Sequence, residues 1–260
     1  MGLVAAVNKA LDSGINLTDP QFYADITEDK LNRFLMGEGS IPCALVGERV
    51  RCLREVADVL KSKFSGSVPV MIKKAENSAD RLLDIVTDNF PCFRDNAMMG
   101  EGQTRVSFHK RAQIFIADLW GMNEGKGIGR FEDIEALTMF ADYRVPQSLQ
   151  YFGALKYSDV SSPPLVDTFI CVIVGFLMLF QELLSELRKN EVMASGCQFE
   201  VEIRGCSIRA VDLVVKKIKT MDADCKVNAV LVDYFLWGFR RELAEEMKKF
   251  PFHKTRSVFY

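Results

Sequence analysis

The stretch "LVGERVRCLREVADVLKSKF" constrains this chain most. Val46, Val50, Leu53, Val56, Leu60 and Phe64 recur every three or four residues, with arginines and lysines between them. That spacing puts the apolar groups on one face of a helix and the charges on the other, so it predicts an amphipathic helix seeking a partner. "ENSADRLLDIVTDNF" repeats the pattern through Leu82, Leu83, Ile85, Val86 and Phe90, and Pro91 stops it. "SFHKRAQIFIADLW" brings a third stripe, Ile114, Ile116, Leu119 and Trp120. Alternation could also make it a strand, but its length favours helix. "IRAVDLVVKKIKTM" and "VNAVLVDYFLWGFRRELAEEMKKF" read as two further helices, and "CQFEVEIRG" as a short strand. The expected fold is mainly α, a single domain over residues 1–260 with no Gly/Ser-rich linker.

Two helical runs are expected in "FEDIEALTMFADYRVPQSLQYFGAL", separated at Val145-Pro146, because a residue before proline is pushed out of the helical region. Asp142 then falls near a helix end, enclosed by Met139, Phe140, Tyr143 and Val145. Two readings compete for so unusual a carboxylate: a structural acid that caps a turn or pairs with Arg144, and a catalytic one.

Charge narrows the function classes. Lys+Arg of 33 against Asp+Glu of 35 leaves a net charge of -2 with no basic run, which argues against direct nucleic-acid binding driven by phosphate neutralisation. A small anionic ligand remains compatible. Cys43, Cys52, Cys92, Cys171, Cys197, Cys206 and Cys225 are odd in number, widely spaced and without zinc-ligand spacing, so they read as reduced thiols of a cytosolic or nuclear protein. With only His109 and His253, a histidine metal site or a Ser-His-Asp triad is not expected. The N-terminus carries no basic segment leading into an apolar run, so neither a secretory signal nor membrane association is expected.

"GMNEGKGIGRF" lacks the spacing and the Lys-Ser/Thr ending of a P-loop. It reads as a turn between helices, or as a glycine-rich hairpin whose backbone touches a phosphate. Such a hairpin, followed by an aspartate at a helix end, resembles helix-hairpin-helix DNA glycosylases. The longer motifs "KRAQIFIADLWG", "GRFEDIEALTMFADYRVPQ", "EVEIRGCSIRAV", "VLVDYFLW" and "PFHKTRSVFY" resemble the queuosine salvage protein family, from "VNKALDSGINLTDP" to Tyr260.

The resemblance implies a helical, DNA-glycosylase-like hydrolase. It would act on queuosine 5′-monophosphate without cofactor or metal, releasing queuine for salvage into tRNA. It makes Asp142 the catalytic carboxylate, and assigns substrate contacts to Phe140, Asp142, Asp233 and Trp237. Phe140 and Trp237 would stack on the base, and Asp233 would accept its N–H donors; either aromatic could instead be core. Lys110 and Arg111 are the expected phosphate partners, with a solvated helix face as the alternative. Where the family generally has a second aspartate, this chain has Gly238, and it begins near the point where family members carry a further N-terminal segment. An impaired or inactive base-binding paralogue is therefore the competing expectation.

One segment stands apart. "VSSPPLVDTFICVIVGFLMLFQ", Val160 to Gln181, contains no Lys, Arg or Glu and interrupts a family pattern that otherwise runs from "FGALKYSD" into "ELLSELRKN". It reads as a foreign insertion, of the kind an in-frame retained intron would leave. Its apolar run is shorter than the ~20 residues needed to span a bilayer.

Overall fold

A computed structural model describes residues 2–36, 43–100, 104–157 and 183–260. Val160 to Gln181 lies outside the described residues. Three short-to-medium helices open the chain: α1 (Gly2–Asp12), α2 (Pro20–Ala24) and α3 (Glu28–Leu35). α2 and α3 lean on α4 (Val46–Lys63), where Ile26, Leu31 and Val50 form a small core of their own, and α1 packs on α3. The chain continues through α5 (Val68–Lys73) and α6 (Ala79–Asn89), then a hairpin of β1 (Asn96–Met99) and β2 (Thr104–Ser107). After it come α7 (Lys110–Met122), α8 (Val145–Tyr151), α9 (Leu183–Lys189), α10 (Gln198–Met221) and α11 (Ala229–Glu242). The fold is mainly helical, as expected. No helix among the described residues is long and apolar enough to cross a membrane.

The amphipathic stripes meet as their spacing requires. Leu60, Phe64, Leu82, Val86, Ala112 and Ile116 from α4, α6 and α7 close one core. Val145, Leu149, Val211, Val232 and Leu236 from α8, α10 and α11 close a second. Fully burying a leucine, isoleucine or phenylalanine is worth about 1.5–3 kcal/mol, so these faces hold the helices together.

Three expectations are corrected. "CQFEVEIRG" is not a strand but the first turns of α10, where Glu200 and Arg204 stand one turn apart and form an ion pair. Glu200 and Arg204 are buried together and pair across one helical turn, a contact that period-two alternation does not reveal. The β1–β2 hairpin was not expected from the sequence at all; its strands are four residues each, too short to show alternation.

The third correction is that no α-helix spans "FEDIEALTMFA". Only Ile134–Ala136 makes a single 3-10 turn, and Leu137 to Tyr143 is irregular. Asp133 draws the chain away by accepting from the Ala79 amide (2.6 Å) and the Ser78 hydroxyl (2.7 Å), which caps α6 from outside. The following residues are then shared between cores: Leu137 and Phe140 enter the first, Met139 the second. An open segment can serve two cores in this way; a helix presents only one stripe to each neighbour.

Candidate active site

Asp142 sits on that irregular segment, buried at 8% exposure. Its Oδ1 accepts from the backbone N–H groups of Arg144 (2.8 Å) and Val145 (2.7 Å), at the start of α8. The capping reading from the sequence is thus correct for one oxygen. Oδ2 has no hydrogen-bond donor among the described residues, and it is not among the sealed-off polar atoms. The carboxylate is oriented by one oxygen and offers the other.

Two further elements, α7 and α11, converge on it. Lys110 opens α7, whose start is wrapped by Asp95: the Asp95 carbonyl accepts from Phe108 (2.8 Å) and His109 (3.1 Å), and its carboxylate from the Lys110 amide (3.3 Å). The Lys110 ammonium lies over the Tyr260 ring at 5.6 Å and faces Asp142, Asp233 and Asp95 electrostatically. From α11, Asp233 accepts from the Phe140 amide at 2.9 Å and is 4% exposed. One turn further along α11 stands Trp237.

Burial dominates the electrostatics. It pushes the Asp142 carboxyl above the ordinary range, opposed by Lys110 and by the two backbone donors. Burial, reinforced by the neighbouring Asp142, pushes Asp233 up to about 8. Asp142 has two backbone donors and two nearby cations, Lys110 and Arg144, whereas Asp233 has one backbone donor and shares Lys110. The larger set of stabilising groups around Asp142 favours the negative charge there and the proton on Asp233. Burial lowers the Lys110 ammonium from its usual value, opposed by the neighbouring Asp142.

Beneath the site lies a buried charge network that sequence reasoning missed. Arg204 is 3% exposed and engages both oxygens of Asp95, Glu200 at 3.1 Å and the Ala141 carbonyl at 2.9 Å. It thereby grips the residue next to Asp142. The Tyr260 hydroxyl reaches Glu200, and His253 Nε2 meets that hydroxyl at 3.0 Å. Tyr143 packs among Phe252, His253 and Tyr260, so the C-terminal "PFHKTRSVFY" closes over the site's floor. The only signal for this in the sequence was Glu200 and Arg204 at i, i+4, hidden by the strand reading.

The remaining expected residues divide. Trp237 is 45% exposed, with the Arg241 guanidinium 4.9 Å from its ring, so the core alternative does not apply to it. Phe140 is buried in the first core, edge-on to Tyr234, and reaches the site through its amide. A Cβ at Gly238 would meet nothing within 4 Å. Arg111 turns elsewhere: it donates to the Val258 carbonyl at 2.8 Å and lies over Phe93 at 5.0 Å, as a clamp on the C-terminal segment.

The profile of the queuosine salvage proteins matches residues 1–164 and 168–260. The chain belongs to the queuosine salvage protein family. Within it, the chain is 42% identical to the queuosine 5′-phosphate N-glycosylase/hydrolase of Mus musculus, over 99% of this chain and 71% of the mouse protein. It is 35% identical to the protein of the same name from Schizosaccharomyces pombe, over 99% of this chain and 70% of that one. A bacterial member of that name, from Sphaerobacter thermophilus, is 37% identical over 99% of this chain and 71% of its own length. All the sequence motifs that first suggested the queuosine salvage family lie within the matched residues.

Proposed function

We propose that this chain hydrolyses the N-glycosidic bond of queuosine 5′-monophosphate, releasing queuine and ribose 5-phosphate, within one DNA-glycosylase-like catalytic unit. The observation that carries the reading is the half-engaged carboxylate of Asp142, buried, oriented by two backbone donors and flanked by Lys110. Breaking a C–N bond to a sugar builds positive charge at the anomeric carbon. A fixed anion in a low-dielectric site stabilises that charge without having to reorganise. Asp142 Oδ2 is the atom for this role, either as electrostatic partner or as nucleophile.

The departing base needs a proton. Asp233, protonated at neutral pH by its burial and by the Asp142 charge, is the acid closest to hand. The same carboxyl can accept a base N–H through its carbonyl oxygen. Trp237, exposed and one turn from Asp233, supplies a flat face for stacking, Gly238 leaves open space beside it, and Phe140 contributes through its amide, which orients Asp233. Lys110 keeps Asp142 ionised and faces the sugar.

The test is base release. Purified full chain is incubated with queuosine 5′-monophosphate, and separately with damaged duplex DNA, and free base is followed by chromatography. Queuine from the nucleotide alone is the expected result. Release from DNA alone would replace the reading with a base-excision enzyme. Binding of queuine without turnover would make the chain an impaired paralogue.

A further inference from the structure

Two arginines beside Asp142 have no carboxylate of their own. Arg144 donates through Nη1 to Gln147 Oε1 at 3.3 Å, and Arg240 donates through Nε to the same oxygen at 3.2 Å. Neither forms an ion pair among the described residues. Two like charges brought onto one neutral oxygen repel each other; burial and Arg144 together lower the Arg240 guanidinium from its usual value. An arrangement of this kind is relieved by an anion placed between the forks.

The pair is also built rather than loose. Gln147 is 1% exposed, and its amide nitrogen is locked to the Met247 carbonyl (2.9 Å) and the Phe250 carbonyl (2.7 Å). Its oxygen can therefore turn only toward the arginines. The Arg144 guanidinium lies over the Phe252 ring at 4.1 Å and near Tyr143 at 4.9 Å, which fixes its plane. Both guanidiniums act electrostatically on Asp142, so the pair borders the reacting centre. Each still has N–H donors not used on Gln147.

Lys110 is the poorer phosphate partner by charge balance. Its ammonium already faces three carboxylates, Asp142, Asp233 and Asp95, with Arg204 as the one further cation. A phosphate dianion brought there would meet a negative surround. Near Arg144 and Arg240 it would meet two cations that share Asp142 as their one nearby carboxylate.

We infer that Arg144 and Arg240, held on Gln147, form the subsite for the 5′-phosphate of the substrate. The inference rests on the proposed nucleotide substrate and adds the group that distinguishes a nucleoside 5′-monophosphate from its nucleoside. A guanidinium fork suits a phosphate monoester because parallel N–H donors match two of its oxygens. In the chain order, Asp142 and Arg144 then set the two ends of the sugar: carboxylate at the anomeric carbon, cation at the 5′ end.

The experiment compares kcat/KM for queuosine 5′-monophosphate with that for queuosine, in the parent, Arg240→Gln, Arg240→Lys and Lys110→Met. Loss of a charge-assisted contact should lower the phosphorylated-to-unphosphorylated preference about ten- to hundredfold in Arg240→Gln, chiefly through KM, with partial recovery in Arg240→Lys. An unchanged preference in both Arg240 variants overturns the inference, as does a preference abolished by Lys110→Met alone. If the parent releases no base from the nucleotide, the enzymatic reading fails separately. Calorimetry with ribose 5-phosphate then decides the subsite: affinity lost in Arg240→Gln supports it, and affinity retained overturns it.

Discussion

Two carboxylates in one low-dielectric site do not both ionise at ordinary pH, and their surroundings decide which keeps the proton. Here Asp142 has two backbone donors and Asp233 one, which favours the charge on Asp142. Asp142→Asn keeps the shape and loses the charge. We expect turnover to fall at least about a hundredfold with the melting temperature nearly unchanged, the scale set by removing one electrostatic stabiliser. Parent-like turnover in that variant would remove Asp142 from the mechanism. Asp233 carries a pH signature. Its folded pKa, about 8, lies above the unfolded carboxylate value, so the folded state binds the extra proton. Stability from this group is full below the unfolded pKa and declines as pH rises toward about 8, because the unfolded chain then holds fewer protons than the folded one. Denaturant titrations of Asp233→Asn should show this decline flattened across that window. Turnover of the parent should fall as pH passes about 8, when the acid is lost. A parent stability profile as flat as that of the variant would contradict the assignment.

At the scale of the element, the two glycines that differ most are Gly129 and Gly238. Gly129 ends the glycine-rich turn after α7, and a Cβ there would lie 2.2 Å from the Leu119 carbonyl oxygen and 2.7 Å from the Asn123 Cβ. The turn is therefore a close backbone approach onto α7, which explains a glycine without invoking a phosphate. Gly129→Ala should destabilise by about 1–3 kcal/mol, as overpacking does. Gly238 lies inside α11 facing open space. Gly238→Ala should stabilise by about 1 kcal/mol through helix propensity alone. Thermal melts of the two variants should move in opposite directions; a shared direction would show that one of these local accounts is wrong.

At the scale of the whole molecule, Arg204 joins α10, the start of β1, the Asp142 segment and the C-terminal tyrosine through one guanidinium. Arg204→Met leaves Asp95 and Glu200 buried without the guanidinium that pairs their charges, a loss of about 3–5 kcal/mol. Urea unfolding should register it as a lower midpoint with an unchanged slope. The proposed insertion is also tested at this scale. Tyr157 and Leu183, on either side of the segment that includes Val160 to Gln181, share a hydrophobic cluster with Leu187 and Ile203. The flanks are thus held together by packing of their own. Deleting Val160 to Gln181 should raise the yield of folded protein, and transcripts lacking these codons should exist. If the deletion abolishes folding and every transcript retains the segment, the insertion reading falls.

Periodicity made α4, α6, α7 and α11 legible, because an apolar stripe at helical spacing has one way to be buried. The family motifs made Asp142, Asp233 and Trp237 legible as candidates. Neither could show that "FEVEI" begins a helix or that Leu137 to Tyr143 leaves one. Those outcomes depend on where distant partners lie: Asp95 for Arg204, the Ser78 turn for Asp133, two cores for Leu137 and Met139. Local pattern records which side chains must be buried or paired. Which partner satisfies them is decided by tertiary packing, since a buried charge takes its free energy from groups far off in sequence. For that reason the sequence by itself determined the long amphipathic helices and the catalytic candidates of this protein, and only the tertiary structure decided the surroundings that favour the proton on Asp233, the free oxygen of Asp142 and the meeting of Arg144 with Arg240.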